Sequence, residues 1–505
     1  MLYYIISKGG FVLNYDVIVI GSGISGACIA RELSRYKLHT AVLEKGSDLC
    51  SGATKGNSAT VHSGHDAAYG TKKAYYNVKG NALYDQLCEE LSVPFFRNGT
   101  YVIGVTDNDW KKLEELKENA EKNQVPNVQL LTVDELKQRD ANWSPDVKGA
   151  LYAPTGGVVC PYSLTFALCE NAAHNGTDFY LDTEVLTIEK NLDMFHLKTN
   201  KEEFTAHYIF NCAGVHADEM NNFVSRHTFH ITPRKGSHVI LDKKLAPYVT
   251  STLCQTPTDL PGGGHTKGMG IMPTEGGTIL LGCEAYDISD KDDTAADERG
   301  FQEILNYFEK NWKYFPISTA YPSFPRNMII SSFSSVRPHP DTDDFILGEA
   351  EDCPHFINVS GIESPGVTAA PAIALDLVRQ AVRQYGWETD PDFDPFRKAP
   401  KPFREMTPEE QAEAVRENPD YGKIICRCEQ VTKAEILAAI RGPVGARTVN
   451  AVKMRTRAGM GRCQGGFCSP EVVRILSEEL HIPMTEVTLS GGDSRILVSE
   501  TCILE

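Results

Sequence analysis

Apolar residues gather in short β-branched runs near the start of the chain and then spread into helical spacing. "DVIVI" (16–20) has the pattern of a strand buried on both faces. Ile24, Cys28, Ile29 and Leu33 recur at helical intervals, and "HTAVLE" (39–44) reads as a second strand. The segment 15–46 is therefore a strand, tight turn, helix and strand. An amphipathic helical pattern follows at 77–91. Residues 95–150 mix short strands with the charged helical stretch "DNDWKKLEELKENAEKN", and 175–215 is strand-rich. Glycine-punctuated strands, "GSHVILD" and "GTILLGCEAY", occupy 231–285. The run "INVSGIESPGVTAAPAIALDLVRQAV" then ends this part in a glycine turn and a helix. From Asp390 to Pro419 prolines among charged residues replace the strand signals, which predicts a linker over the surface. A compact unit with helical "KAEILAAIR" and "PEVVRILSEEL" comes last.

This order predicts an α/β fold. A Rossmann-like nucleotide-binding domain takes 15–90, 145–230 and 326–388, interrupted by an inserted α+β substrate domain from 91–144 and 231–325. The linker takes 389–422, a small four-cysteine domain takes 423–482, and 483–505 is a tail. The first fourteen residues read as a frayed extension. A length of 505 residues agrees with more than one core, and 41% apolar with 23% charged residues marks a soluble globular chain. The formal charge of −17 disfavours nucleic acid as a partner. It also means that an anionic substrate needs a local basic pocket. No apolar run approaches the roughly 18 residues of a membrane span. "MLYYIISKGGFVL" lacks a basic leader and a cleavage site. The expected location is the cytoplasm, with a membrane reached only through partner subunits.

Gly21-Ser22-Gly23-Ile24-Ser25-Gly26 fits G-x-G-x-x-G between a strand and a helix. Glycines there let backbone N–H groups reach a pyrophosphate at the helix N-terminus. Glu44 ends the second strand, where an acid binds a ribose 2′-hydroxyl and disfavours a 2′-phosphate. Only one full fingerprint is present, so a separate NAD domain is not supported. "NCAGVHADEM" (211–220) ends a strand in small residues that let the chain pass close to a cofactor. "SGIESPGVTAAPAIA" (360–374) places glycines at a helix start, where free N–H groups suit flavin carbonyls.

Ten of the fourteen cysteines are scattered without a repeating spacing and read as reduced, mostly buried small hydrophobes. The other four form C-x-C-x34-C-x4-C at Cys426, Cys428, Cys463 and Cys468. Four thiolates hold Zn²⁺ or an iron–sulfur cluster. Zinc knuckles favour C-x2-C, which neither pair has, but spacing alone leaves zinc, a cluster and reactive thiols open.

"SGATKGNSATVHSG" (51–64), the fingerprint, "NCAGVHADE" and the last glycine turn together resemble the D-amino-acid-oxidase-type FAD-dependent oxidoreductases. The nearest groups are glycerol-3-phosphate dehydrogenases and 2-hydroxyglutarate oxidases. "CRCE" with "RTRAGMGRCQGGFC" resembles the bacterioferritin-associated-ferredoxin-like [2Fe–2S] domain. The combination is similar to the A subunits of anaerobic glycerol-3-phosphate dehydrogenases over about Tyr15 to Leu480. The resemblance implies FAD on Gly21, Gly23, Ser25, Gly26, Glu44 and Lys45. Further contacts implied are Thr54, Asn57, Ser58, His62, Val185, Ala213 and Gly214, then Gly361, Ser364, Gly366, Val367 and Thr368 in the last turn. It implies a [2Fe–2S] cluster on the four cysteines, as an outlet for flavin electrons. Arg427, Arg455, Arg457 and Arg462 crowd that unit, either as a solvated basic face or to temper the anionic cluster.

The same resemblance makes Arg337, His238 and His265 the substrate-side residues, with Lys267 adding charge. Flavin oxidation of an alcohol or amine needs a positioned carbon, a countercharge and a proton acceptor. A guanidinium fork suits a phosphate or carboxylate. His216 and Lys235 are expected to play no part, Lys235 being solvated. Glycerol-3-phosphate dehydrogenases usually carry Gly-Gly-Lys and Thr-Tyr-Arg in the last turn. Here "SGIESPGVTAAP" has no cation. The implied activity is oxidation of a small anionic alcohol, foremost sn-glycerol 3-phosphate to dihydroxyacetone phosphate, with electrons passing to a partner protein or subunit. A 2-hydroxy acid or amino acid is the alternative substrate. An electron-transfer subunit without its own substrate site is the third reading.

Overall fold

The computed structural model describes residues 4–7, 10–257 and 268–499. The strand Gly10–Ile20 lies between two parallel neighbours, Thr40–Leu43 and Glu203–Asn211. Its side chains alternate between two cores, as the twofold period of a strand requires. Val17 and Val19 join Val42 and the helices Ile24–Leu33, Pro161–His174 and Gly366–Tyr385. Ile18 and Ile20 face the other way, into a cluster with Phe195, Phe204 and Phe356. Asp178–Tyr180 extends the sheet beyond Thr40–Leu43. Glu203–Asn211 forks at its far edge: its first half pairs antiparallel with Met194–Thr199, and Ile209–Asn211 pairs parallel with Cys353–Ser360.

The second sheet is built on two long strands, Ile231–Leu241 and Ile329–Pro340, antiparallel from end to end. Ile279–Gly282, Gly270–Pro273, Thr252–Gln255, Thr100–Gly104, Gly149–Ala153 and Gln129–Thr132 follow in that order, and the short Tyr286–Asp287 also pairs with Ile231–Leu241. The helix Glu298–Asn311 buries Ile304, Leu305 and Phe308 against its Val239, Leu241 and Leu281. The C-terminal unit has its own core, in which Ile436, Val452, Ile475, Leu476 and Val487 are central.

Several expectations change. Tyr4–Ser7 is not frayed, because it pairs antiparallel with Gly10–Leu13 as a hairpin, too short a pattern to be told from an apolar leader. Gly149–Ala153 and Ile329–Pro340, expected in the nucleotide-binding domain, join the second sheet. Chain order does not reveal which sheet a strand enters. The pattern at 77–91 resolves into Lys72–Asn81 and Tyr84–Glu90, breaking so that Tyr84 enters the core and bonds the Val367 carbonyl. The linker contains a helix, Pro408–Glu417, started by a Thr407–Glu410 capping box that the proline-rich composition obscured. The tail folds back, with Val487 fully buried and Thr488 bridged to Arg495. Lys235 is buried rather than solvated, with Asp293 at 2.8 Å and Asp297 at 3.4 Å.

Of three arginines of the C-terminal unit, Arg455 and Arg457 are largely buried in ion pairs rather than on a solvated face, whereas Arg462 is exposed. Arg455 binds both carboxylate oxygens of Asp48 at 2.7 Å and lies 4.2 Å from the Phe166 ring. Arg457 holds Glu429 at 2.9 Å, and Arg462 reaches Asp242 at 2.9 Å. Two of these pairs tie the unit to its neighbours, Arg455 to the first sheet's domain and Arg462 to the second's. Removing the guanidinium of Arg455→Ala strands a shielded carboxylate, and should cost about 2–4 kcal/mol of docking. Hydrogen exchange should then rise across 47–52 and 449–456. It should change little in Arg462→Ala, whose side chain is 58% exposed. Equal protection in both variants would show that the Asp48 pair does not hold the unit in place.

Candidate functional site

The nucleotide end is built from backbone contacts. Gly21 has φ +98°, and a Cβ there would lie 2.6 Å from the Cys212 carbonyl oxygen. A Cβ at Gly26 would lie 1.9 Å from the Gly21 oxygen, so the turn, the helix and the strand end leave no room for side chains. Gly23 caps the helix Ile24–Leu33 without a side-chain bond, and Ile24 N–H donates to Thr54 Oγ1 at 3.0 Å. The buried Glu44 carboxylate accepts from Ser22 N–H (2.9 Å), Ser22 Oγ (2.7 Å) and Gly46 N–H (2.7 Å). A carboxylate has about four acceptor sites, so one stays open for a ribose hydroxyl. Ala213 and Gly214 follow the strand end at Asn211, whose amide is held by Asn358 and the Ala217 carbonyl. These features fit the expected flavin dinucleotide. Lys45 pairs instead with Asp292 and meets His216 at 2.9 Å. The Val185 side chain packs in the core and leaves only backbone for a ligand.

A cavity of about 700 Å³ opens between the two sheets. Its first wall carries Thr54, Asn57, Ser58 and His62 together with Ser364, Gly366 and Val367 at the start of the helix Gly366–Tyr385. His62 is pinned from several directions. Its N–H donates to Thr368 Oγ1 at 2.9 Å, its carbonyl accepts from Asn77 and Asn81, and its ring Nε2 lies 3.4 Å from Ser364 Oγ. Gly361, at φ +67°, turns the chain into this segment.

The opposite wall comes from the paired strands. It carries Arg234, His238, Arg337 and His339. Arg337 donates to the Glu284 carbonyl at 2.8 Å, and no carboxylate pairs with it among the described residues. Gly236 makes this possible, since a Cβ there would meet the guanidinium at 2.1 Å. Arg234, directly across the ladder from Arg337, is paired with Asp287 at 2.7 Å. His238 is buried and stacked on Phe333, with neither ring nitrogen hydrogen-bonded among the described residues. Burial first and the Arg337 charge second push its pKa down to about 4. Its ring is neutral at pH 7. His265 and Lys267 lie outside the described residues.

The structure adds residues at or behind the cavity wall that the sequence did not single out. Glu363, inside the last glycine turn, is bonded to Lys73 (2.8 Å) and His339 (3.0 Å). Burial alone would raise its carboxyl, but His339 and Lys73 outweigh this and hold it at about 2. Lys73 enters from a different helix, 290 residues away in sequence. Its spacing to the turn therefore carried no signal. Glu284, buried, fixes Arg337 through its carbonyl and Ser237 N–H through its carboxylate at 2.9 Å.

The four cysteines converge in the C-terminal unit. Cys428 and Cys463 Sγ atoms are 3.6 Å apart, and Cys426 and Cys468 interact with each other. Burial raises the Cys463 thiol, but Cys428 and the N–H groups of Gly465, Phe467 and Gly466 outweigh it and lower its pKa. Backbone N–H groups around a sulfur are the setting in which a cluster thiolate is stabilised. Two pairs, two thiolates for each of two irons, suit a binuclear cluster. Among the described residues no three Cys, His, Asp or Glu side chains gather closely enough for a single ion.

Comparison with known proteins agrees with both centres. Residues 16–380 match the family model described as FAD dependent oxidoreductase, and 424–478 match the BFD-like [2Fe-2S] binding domain. The chain is 42% identical over 490 residues to the glycerol 3-phosphate dehydrogenase of Caloramator mitchellensis, covering 96% of this chain and 99% of that one. It is 29% identical over 381 residues to the glycerol 3-phosphate oxidase of Mycoplasma pneumoniae, covering 74% and 95%. Among solved structures, dithionite-reduced L-alpha-glycerophosphate oxidase from Mycoplasma pneumoniae with FAD bound superposes with TM-score 0.70 at 27% identity. That match covers 77% of this chain and 99% of the other.

Cys463→Ser should remove the iron signal and leave FAD bound, because the two sites have separate cores. Metal analysis and the flavin spectrum decide this, and loss of both together would refute the separation. A second expectation follows from His238, whose pKa is lowered to about 4. The unfolded chain takes up a proton near pH 6.5 and the native ring resists it. This site therefore contributes a stability loss that grows between pH 6.5 and 4 and levels off below. His238→Asn should flatten that slope by roughly 2–3 kcal/mol, read from denaturant unfolding at pH 7 and pH 4.5. An unchanged slope would mean that the ring is not held neutral.

Proposed function

Because the chain belongs to the FAD dependent oxidoreductases and ends in a BFD-like [2Fe–2S] binding domain, we propose that it oxidises sn-glycerol 3-phosphate to dihydroxyacetone phosphate. FAD supplies a two-electron acceptor at the cavity, and the [2Fe–2S] centre on Cys426, Cys428, Cys463 and Cys468 supplies a one-electron outlet toward a partner protein. The observation that carries the reading is Arg337, a cation on the cavity wall without a carboxylate partner among the described residues. Its fork receives the substrate anion. Arg234 and Lys73, which line the same cavity, add positive charge although each already holds an acid. Lys73, from another helix, stands beside the last glycine turn that has no cation of its own, its charge held by Glu363. Carbon-bound hydrogen leaves as hydride, and the hydroxyl proton goes to a histidine of the cavity, His238 or His62. His238 is neutral at pH 7, the form a proton acceptor needs. A substrate anion that offsets the Arg337 charge removes one of the two causes that hold its pKa down to about 4. In this reading the enzyme works in the cytoplasm and reaches a membrane only through its partners. No helix among the described residues is long and apolar enough to cross one.

One observation favours a 2-hydroxy acid instead. Lys73 is neutralised by Glu363, and a single carboxylate, as in lactate, needs little beyond Arg337. Anaerobic flavin bleaching separates the two, using glycerol 3-phosphate, L- and D-2-hydroxyglutarate, L-lactate, glycerol and small amino acids. Glycerol 3-phosphate should bleach the flavin fastest. A rival faster by about tenfold or more, roughly 1.4 kcal/mol in the barrier, would replace it. Absence of bleaching by every compound would favour an electron-transfer subunit. Arg337→Ala should lose about 2–4 kcal/mol in kcat/KM with FAD content unchanged. Unaltered turnover at low substrate would make Arg337 structural.

A further inference from the structure

The four cysteines are unequally covered. Cys426 and Cys468 are 1% and 2% exposed, whereas Cys428 and Cys463 are half-buried, so one sulfur pair faces outward. Residues adjacent to the ligands in the chain rim that pair. Phe467, next to Cys468, is 84% exposed. Arg427, between Cys426 and Cys428, is exposed and has no carboxylate partner among the described residues. Arg462, next to Cys463, is 58% exposed while it reaches Asp242. Lys243 comes from the second sheet's domain, donates to the Cys428 carbonyl and is 54% exposed, and Lys244 beside it is exposed. The acids among these cations, Asp242 and Glu429, are 9% and 3% exposed. Exposed charge at this rim is therefore positive, on a chain whose net charge is −17.

We propose that this rim, centred on Phe467 and Arg427, is the docking face for an acidic one-electron carrier protein. Phe467 supplies the desolvated anchor of a small transient interface, and the basic rim supplies orientation and speed. The net charge of −17 repels such a carrier on average, so an encounter is favoured where its acidic patch meets this rim. A basic carrier would be drawn to the acidic surface elsewhere, away from the outward sulfur pair. Each substrate oxidised leaves two electrons on the chain. Two carriers in succession therefore accept one electron each, and no proton moves at this face.

The inference rests on the one-electron outlet of the proposed function, but its test uses binding and no substrate. A failed substrate panel would leave it standing, and failed binding would leave the substrate assignment standing. The full-length holoprotein is titrated by calorimetry with an oxidised acidic plant-type [2Fe–2S] ferredoxin at low ionic strength. Binding should weaken by about tenfold on moving to about 0.15 M salt, where screening acts within about 8 Å. Arg427→Glu and Phe467→Ser should each weaken it by about tenfold or more at low salt, with flavin and iron contents equal to wild type. Wild-type affinity in both variants would overturn the proposal. Two other outcomes would do the same. One is tighter binding of a basic cytochrome c that these substitutions abolish. The other is a holoprotein dimer that Phe467→Ser splits in sedimentation, which would mean a second copy covers the face.

Discussion

Three backbones meet at the end of the strand Gly10–Ile20, at distances that exclude any side chain. Gly21, Gly26 and the Cys212 carbonyl pack so tightly that the helix Ile24–Leu33 can start only there, at that tilt. This contact fixes where the first N–H groups of the helix point. It also brings Glu44 to Ser22 and sets Thr54 against the helix start. The cavity begins beside this contact, at Ile24 and Thr54. The flavin site, and everything oriented toward it, is therefore built outward from one glycine contact.

Charge organises the other half of the site. Buried ionic groups cost free energy unless they are paired, and most of those around the cavity are paired locally. Glu363 is held by Lys73 and His339, Arg234 by Asp287, and Lys235 by Asp293. Against that background the carbonyl-bound Arg337 stands out. Its charge is the one on the paired strands that a substrate anion could neutralise. The adjoining His238 feels that charge and is kept from taking a proton of its own.

What could be read from the sequence was whatever is local. The turn Gly21–Gly26 and the acid at Glu44 carry their meaning within a few residues, whereas the four cysteines and Arg337 took theirs from the family resemblance. What escaped notice was set by pairing at long range. Ile329–Pro340 looked like part of the nucleotide-binding domain until its ladder with Ile231–Leu241 placed it in the second sheet. That same ladder sets Arg337 opposite Arg234. Lys73 gave no signal, because a lysine on an amphipathic helix ordinarily faces water. Arg455 looked like one of several solvated arginines, and only tertiary structure reveals Asp48 waiting for it.

The stretch from Glu44 to Thr54 serves three clients at once. Glu44 closes the nucleotide end, Ser47 donates to the Ser490 carbonyl, Asp48 receives Arg455, and Thr54 holds the helix start. A segment shared in this way makes its occupants thermodynamically reciprocal: whatever orders it for one lowers the ordering cost for the others. Cofactor loading and closure of the C-terminal unit are then linked steps of maturation. A chain that acquires its dinucleotide first meets its iron-binding unit on a surface already in shape.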